Sequence, residues 1–403
     1  MKKIILLLVC LLLVVGYTGK STNNKKVEEN KIDMKKEVSS YYNKYVVTKE
    51  ESKLYDKDYK EVGSINKDVK LILDDVEITE DTRYFKIANT DYYIKYNVVN
   101  KIEEFEIDKR YKRYVVFNQN IVTIDSTTFY KDDNYVYKIN SGVTLPIIIK
   151  NGNKYYVEYN NELLYVLKNE VKVVNHKNTS QKTRTNIRTF TYHAVYKPGE
   201  TCKNKSICHP YKQFDEHMKY LHDNNYLTLT MTELEWFLDK KINIPTKTVV
   251  ITLDDGNLAK NAIEILDKYE LPATYFIITG RYNSYKLESK YVDFECHSDN
   301  LHNNYKCPGG QQGGQLLCEK ESKIVADLKL SQEKLGGSHY FAYPFFDFND
   351  RAKRILKQQG FRLAFIGQWN SEGYSTFNTD RYMIRRKTIF STDSLNVFKS
   401  YLK

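Results

Sequence analysis

The sequence predicts a multidomain chain of two unlike parts, a β-rich region of short repeats followed by an α/β region wound around a parallel sheet. Three observations predict it. Between about Tyr45 and Val174, short Tyr, Val and Ile runs are punctuated by Asp, Asn and Gly, as in small antiparallel strands. From Thr189 onward, strand-like runs alternate with helical ones, which calls for crossover helices. A polar stretch at residues 176–187 separates the two textures and has the composition of a linker. At 403 residues the chain is long enough for several domains with cores of their own.

The chain opens with Met1-Lys2-Lys3 and the apolar run Ile4 to Gly16. This reads as an export signal over residues 1–19, because a charged start precedes a hydrophobic stretch shorter than the roughly 20 residues that span a bilayer. The protein is therefore expected outside the cell, secreted or held at the surface by a retained anchor. Cys10 lacks the small preceding residues of a lipidation site. Residues 20–44 are mostly Lys, Asn and Glu, cannot bury enough surface to order themselves, and predict a flexible tether. Lysine is scattered rather than striped, so the net charge of +11 implies a solvated basic surface and no nucleic-acid partner. An acidic partner of an exported protein would be a wall polymer or anionic lipid.

Residues 45–110 and 111–175 read as an internal repeat. Leu54-Tyr55-Asp56 leads to Val62-Gly63, then Val69 to Leu73, then Tyr84 to Ile87 and Tyr92 to Lys95. In the same order, Phe129-Tyr130-Lys131 leads to Lys138-Ile139, Leu145 to Ile149, and Tyr155 to Glu158. The pattern resembles tandem bacterial SH3-like barrels, and the resemblance implies cell-wall glycan as a partner. Tyrosines alternating on half-buried strands serve packing, and the same aromatic excess can line a ligand groove.

Beyond the linker, residues 188–403 predict strands at about Thr189 to Val195, Val249 to Asp255, Ala273 to Ile278, Val292 to His297, Phe341 to Phe345 and Leu363 to Ile366. Helices are expected at about Tyr211 to Asn225, Ala259 to Tyr269, Glu319 to Leu335 and Asp350 to Gln359. In barrels of this kind the strand ends carry the chemistry, and Tyr192-His193, Asp254-Asp255, His297 and Pro344-Phe345 all fall there. In an oxidising compartment the local pairs Cys202 with Cys208 and Cys307 with Cys318 are the natural disulfides, leaving Cys296 as a buried filler. A cysteine zinc cluster is the alternative, but no Cys-x2-Cys spacing occurs.

The run Thr248 to Leu253 is apolar and β-branched, as suits a strand buried on both faces, and Asp254, Asp255 and Gly256 follow at its end. Glycine lets the chain turn at once, so the two carboxylates can diverge around one pocket. With His297 and His302 they offer one base and three metal ligands, a set that implies metal-assisted hydrolysis.

On these residues the region from about Thr189 to Lys403, roughly half the chain, resembles the NodB-type polysaccharide deacetylases of carbohydrate esterase family 4. Thr252-Leu253-Asp254-Asp255-Gly256 is similar to that family's Thr-Phe-Asp-Asp-Gly motif, and His297-Ser298 with His302 to its second motif. The step from His297 to His302, with Tyr192-His193 upstream, is closest to the branch that deacetylates poly-β-1,6-N-acetylglucosamine. The resemblance implies a distorted (β/α)7-type barrel. Asp255, His297 and His302 would hold a divalent metal with coordination positions left open. Zinc is the default, and nickel, cobalt and iron are compatible with the same ligands.

Further roles follow from the resemblance. Asp254 would be the general base. The family's late Leu-x-Leu-x-His donor is missing, because no His follows His339, and His193 stands as its substitute for protonating the departing amine. The other reading of His193 is a hydrogen-bonded strand-end residue. Ala342-Tyr343-Pro344-Phe345-Phe346 stands where the family has its Arg-x-x-Tyr-Gly-type motif, so the Phe345 backbone amide would bind the oxyanion. The Gly and the Arg of that motif are absent. Arg385 is the candidate for the orienting charge, with a surface salt bridge as the other reading.

Asn303 to Cys318 is an insertion after the second histidine, read as a disulfide-closed rim loop because no phosphate-binding spacing accompanies its glycines. His209, His217, His222 and His339 have no ligand-like neighbours in sequence and default to surface or packing roles. The expectation is an exported, monomeric, metal-dependent hydrolase that removes N-acetyl groups from an N-acetylglucosamine polymer, either poly-N-acetylglucosamine or peptidoglycan. The alternative is a catalytically inactive, deacetylase-like protein that binds cell-wall glycan.

Overall fold

The structure is a computed structural model, and it describes residues 44–79, 82–107, 110–177, 181–367 and 371–403. The expected signal, and the tether up to residue 43, lie outside the described residues. The chain divides into two compact units. The first runs to residue 178 without residues 112–115, and the second takes those residues together with Thr179–Lys403.

The first unit is β-rich and duplicated. One copy contains β1 (Tyr45–Thr48), β2 (Ser52–Tyr55), β3 (Glu61–Ile65), β4 (Lys70–Ile78), β5 (Arg83–Ile87), β6 (Tyr93–Lys95) and β7 (Val99–Ile102). The other contains β8 (Gln119–Thr123), β9 (Thr127–Lys131), β10 (Asn134–Ile139), β11 (Thr144–Pro146), β12 (Ile149–Asn151), β13 (Lys154–Tyr159), β14 (Glu162–Leu167) and β15 (Val171–Asn175). Their pairings match strand for strand. β1 lies between β4 and β7 as β8 lies between β11 and β15, and a 3₁₀ turn precedes the last strand of each copy. Tyr55 opposes Tyr93 as Tyr130 opposes Tyr165. Buried threonines repeat as well, with Thr48 Oγ1 accepting from Val69 N at 2.9 Å and Thr123 Oγ1 from Val143 N at 2.8 Å. Where β4 shifts register between Leu73 and Asp75, the second copy breaks into β11 and β12.

The equivalent strands β3 and β10 pair antiparallel, with Ile65 opposite Tyr137, and join the first copy to β9, β10, β12, β13 and β14 of the second in one twelve-stranded sheet, while β11, β8 and β15 form a separate sheet. Alternation then buries one row of side chains. Leu54, Phe85, Ile94, Phe129, Ile139 and Leu164 are fully buried in a single apolar cluster.

In the second unit, β16 (Asn186–Tyr192) is followed by the short parallel pair β17 (Val195–Tyr196) and β18 (His209–Pro210). Then come α1 (Tyr211–Asp223), β19 (Leu227–Thr228), α2 (Met231–Leu238), β20 (Thr248–Asp255), α3 (Ala259–Lys268), β21 (Ala273–Ile277) and β22 (Val292–Cys296). The chain continues with α4 (Glu321–Lys334), β23 (Tyr340–Ala342), α5 (Asp350–Gln358), β24 (Leu363–Gly367), β25 (Tyr374–Thr376), β26 (Ile384–Thr388) and α6 (Leu395–Tyr401). β16, β20, β21, β22, β23, β24 and β26 pair in parallel in that order, and β26 returns to β16. The result is a closed seven-stranded parallel barrel. β20 is buried along nearly its whole length, as its β-branched run requires.

The observed elements depart from the sequence reading in particular places. The strand expected to run to Phe345 ends at Ala342, because Pro344 lacks an amide donor and both Phe345 and Phe346 take left-handed backbone, φ 59° and 60°. Helix α2 was not expected; Thr230 and Glu233 close it with a reciprocal capping box. Strand β26 was not expected either, and it completes the barrel.

Candidate metal centre

Three side chains meet where β20 and β22 end. Asp255 is the last residue of β20, His297 follows β22 directly, and His302 lies on the loop beyond it. Asp255 Oδ1 lies 3.7 Å from His297 Nε2 and 3.5 Å from His302 Nε2. The turn that makes this possible begins one residue earlier than glycine alone would require. Asp255 itself is left-handed at φ 74°, and Gly256 follows at 108°, where an added Cβ would sit 3.0 Å from the Ile277 side chain.

The surrounding hydrogen bonds fix the ligand atoms. His297 Nδ1 lies 2.7 Å from the Ala342 carbonyl, so it carries the proton and leaves the Nε2 lone pair facing Asp255. Burial lowers the pKa of both imidazoles to about 4, so they are neutral at ordinary pH. The loop between them is pinned by Asp327, which accepts from the Asp299 and Asn300 amides at 2.8 and 2.7 Å. Arg281 holds the His302 carbonyl at 2.5 Å.

Asp255 Oδ1 is buried and, among the described residues, has no hydrogen-bond partner. Two neutral imidazoles and an orphaned carboxylate oxygen therefore converge on one point as electron-pair donors, all within 4.8 Å of one another. That donor set fits a divalent cation, and it leaves positions free for water and substrate.

Asp254 lies beside this cluster, almost wholly buried. Arg386 grips it in fork geometry, Nη1 to Oδ1 at 2.7 Å and Nη2 to Oδ2 at 2.8 Å. Burial pushes the Asp254 carboxyl up, but Arg386 more than offsets it, with His297 and His193 adding, and the group sits below the ordinary carboxylate range. The orienting charge is thus Arg386 and not Arg385. Side chains alternate along β26, so Arg385 points outward and is exposed while Arg386 turns into the barrel, 0% exposed.

Residues 241–364 match the polysaccharide deacetylase family. The chain carries a polysaccharide deacetylase domain. It is 29% identical over 222 residues to a poly-beta-1,6-N-acetyl-D-glucosamine N-deacetylase of Staphylococcus aureus, across 50% of this chain and 72% of that protein. Among solved structures it is similar to deacetylase PplD of Streptococcus pyogenes, solved in complex with acetate (20% identity, TM-score 0.44, 54% of this chain and 98% of that one). It is also similar to IcaB from Ammonifex degensii (21% identity, TM-score 0.44, 55% of this chain and 99% of that one).

Other predicted residues of the deacetylase domain fall near the same cluster. Tyr192 pairs with Leu253, so the next residue, His193, stands beside Asp254; it acts electrostatically on both Asp254 and His302. Its Nδ1 is buried and has no hydrogen-bond partner among the described residues. Phe345 places its ring 4.2 Å from that of His302.

The missing motif glycine has a physical replacement. The Phe346 ring packs on Gly367, where a Cβ would come within 2.7 Å of it, and covers the Arg386 guanidinium at 5.2 Å. The Gly-rich insertion is closed by the Cys307–Cys318 disulfide, and Cys202–Cys208 closes a second loop. Cys296 is a buried free thiol. Asp347, 1% exposed, accepts from the Gln311, Gln312 and Gly314 amides and ties the insertion to the Pro344–Phe346 turn. Sequence reasoning missed Asp347; an Asp directly after the Phe pair, facing a glycine-rich loop, was the available signal.

Proposed function

We propose that the protein is an exported, metal-dependent N-deacetylase of an N-acetylglucosamine polymer, with poly-N-acetylglucosamine and peptidoglycan as the candidate substrates. The observation that carries this reading is the donor set of Asp255, His297 and His302 with an ionised, Arg-held Asp254 beside it. When bound there, a divalent cation, zinc by default with nickel, cobalt and iron as alternatives, acidifies water and polarises the acetyl carbonyl.

The chain's own residues do the rest. Asp254, kept ionised by Arg386, accepts the proton of the attacking water, and that water adds to the acetyl carbon. The Phe345 amide donates to the carbonyl oxygen as it becomes negative. His193 protonates the amine nitrogen as the C–N bond breaks, so that free amine and acetate leave. The duplicated N-terminal unit, read as SH3-like repeats, holds the enzyme to wall or matrix glycan, and the first 19 residues direct its export.

The test is acetate release from N-acetylglucosamine oligomers by the purified chain. Activity should vanish with a chelator and in Asp254→Asn. Turnover that resists chelation sinks the metal assignment. Glycan binding that survives His297→Ala, with no acetate from the native protein, leaves the non-catalytic alternative.

A further inference from the structure

The two copies of the first unit differ around their opposed tyrosines. Each places two opposed tyrosines at the same point of its sheet, Tyr55 with Tyr93 and Tyr130 with Tyr165. In the first copy, residues 56–60 link β2 to β3 and bring Tyr59 against Tyr93 of the pair and its neighbour Tyr84. Tyr59 takes left-handed backbone (φ 57°), its ring lies 4.5 Å from Tyr84 and 6.0 Å from Tyr93, and its hydroxyl donates to Glu77. Tyr93 donates to the same carboxylate at 3.1 Å, so the cluster satisfies itself.

In the second copy the corresponding link is only the tight turn at Asp132 and Asp133, both left-handed, which places no ring over the tyrosines; Lys154 Nζ lies 3.9 Å from the centre of the Tyr165 ring, and Tyr130 and Tyr156 keep ring surface toward a cleft. The cleft has a volume of about 520 Å³. Its wall includes Tyr130 and Tyr165, stacked at 5.2 Å and 16° between planes, with Tyr156 5.5 Å from Tyr165. Asp133 accepts from Tyr165 Oη at 2.6 Å and pairs with Lys154 at 2.7 Å, and Lys131 pairs with Glu162 at 2.6 Å.

We infer that this cleft is a second glycan site, taking uncharged N-acetylated sugar units of the polymer that the deacetylase domain acts on. Aromatic faces edged with hydrogen-bonding groups suit a pyranose, which has an apolar face and a polar rim. The two lysines among the described lining residues, Lys131 and Lys154, are each engaged by a carboxylate, so the described wall does not favour an anionic polymer. A second site on the same chain makes the later of two contacts with one polymer intramolecular, which raises avidity without any new contact in the catalytic cleft. The inference rests on the functional reading above, and binding is measured without turnover so that the two can fail separately.

The experiment is equilibrium binding of long-chain N-acetylglucosamine polymer to the full chain carrying Asp254→Asn. Adding Tyr156→Ala or Asp133→Lys should weaken affinity about tenfold, while Tyr59→Ala should leave it within about twofold. Asp133→Lys changes an exposed side chain, so its effect does not pass through loss of the core. Equal affinity in all variants overturns the site. So does an equal loss in Tyr59→Ala, which would reflect general loosening of the tyrosine clusters. Stronger competition by a proline-rich peptide, or by fully deacetylated glucosamine polymer, overturns the assignment of acetylated sugar.

Discussion

Arg386 and Asp254 form a two-pronged ion pair inside the barrel, between a strand that no apolar pattern announces and the strand that carries the Asp-Asp-Gly turn. The guanidinium is also sandwiched by rings, 5.7 Å from Phe276 and 5.2 Å from Phe346. A fork so constrained fixes both the charge and the direction of the carboxylate.

Replacing Arg386 with Met should lower kcat about 10- to 100-fold, the usual effect of losing an orienting partner. It should also leave a buried charge unpaired, at a cost of about 3–5 kcal/mol in stability. The sign of the pH effect follows from the native shift. Arg386 holds the Asp254 carboxyl below its ordinary range, so without it the pKa rises. The acidic limb of the pH–rate profile should then move to higher pH, and an unmoved limb would exclude Asp254 as the base.

Divalent cation should raise the melting temperature of the chelator-treated protein. At a hundredfold excess over Kd the stabilisation is about 2.7 kcal/mol, provided the unfolded chain does not bind. The shift should disappear in His302→Ala, because Asp255 and His297 alone leave the site with two donors. A shift that persists in this variant would place the ion elsewhere.

Much of this site was legible in the sequence because its residues are sequence neighbours of a recognisable turn. Asp254, Asp255 and Gly256 end a continuous apolar run, and His297 and His302 are five residues apart behind the alternating strand Val292–Cys296. Arg386 was not legible for two physical reasons. Its strand, Ile384–Thr388, is mostly cationic and reads as surface, and which of two adjacent arginines faces inward depends on the register of a barrel that must first close. Phe346 misled in the opposite way: in sequence it is a lost glycine, whereas in the fold its ring supplies the cover over Arg386. The duplication showed in the spacing of Tyr-rich runs, but the pairing of β3 with β10 did not, since equivalent strands carry no pattern that selects each other.

Acid should destabilise the protein through histidines that are not metal candidates. His209 and His217 are fully buried, and burial lowers their pKa values to about 3 and about 4. In the unfolded chain each would titrate near 6.5. Below that value the unfolded state binds protons that the native state refuses, so stability falls as pH drops from about 6.5 toward 4 and is unaffected above. Each pKa unit is worth about 1.4 kcal/mol per histidine. His297 and His302 are lowered in the same way, so chemical denaturation at pH 7.5, 6 and 5 is done with chelator in a His297→Ala, His302→Ala background, and a flat profile there would contradict the burial of His209 and His217.

Asp347 should matter to the rate more than to binding. Its carboxylate collects amides from Gln311, Gln312 and Gly314 and sits immediately after the turn that carries Phe345. Removing it in Asp347→Ala takes the acceptor from all three amides, of which the Gly314 amide is buried, costing about 1–3 kcal/mol in stability. It also frees Phe345 and Phe346 from an imposed left-handed backbone that non-glycine residues leave readily. The oxyanion donor would then wander while the sugar contacts of the cleft stay, so kcat should fall about tenfold or more with KM nearly constant. Reducing the Cys307–Cys318 bridge, which closes the same loop, should act in the same direction and be additive to less than the sum with Asp347→Ala, because both changes release one segment. Acetate release measured for the four combinations decides this. Full additivity, or a change confined to KM, would separate the insertion from the turn that holds Phe345.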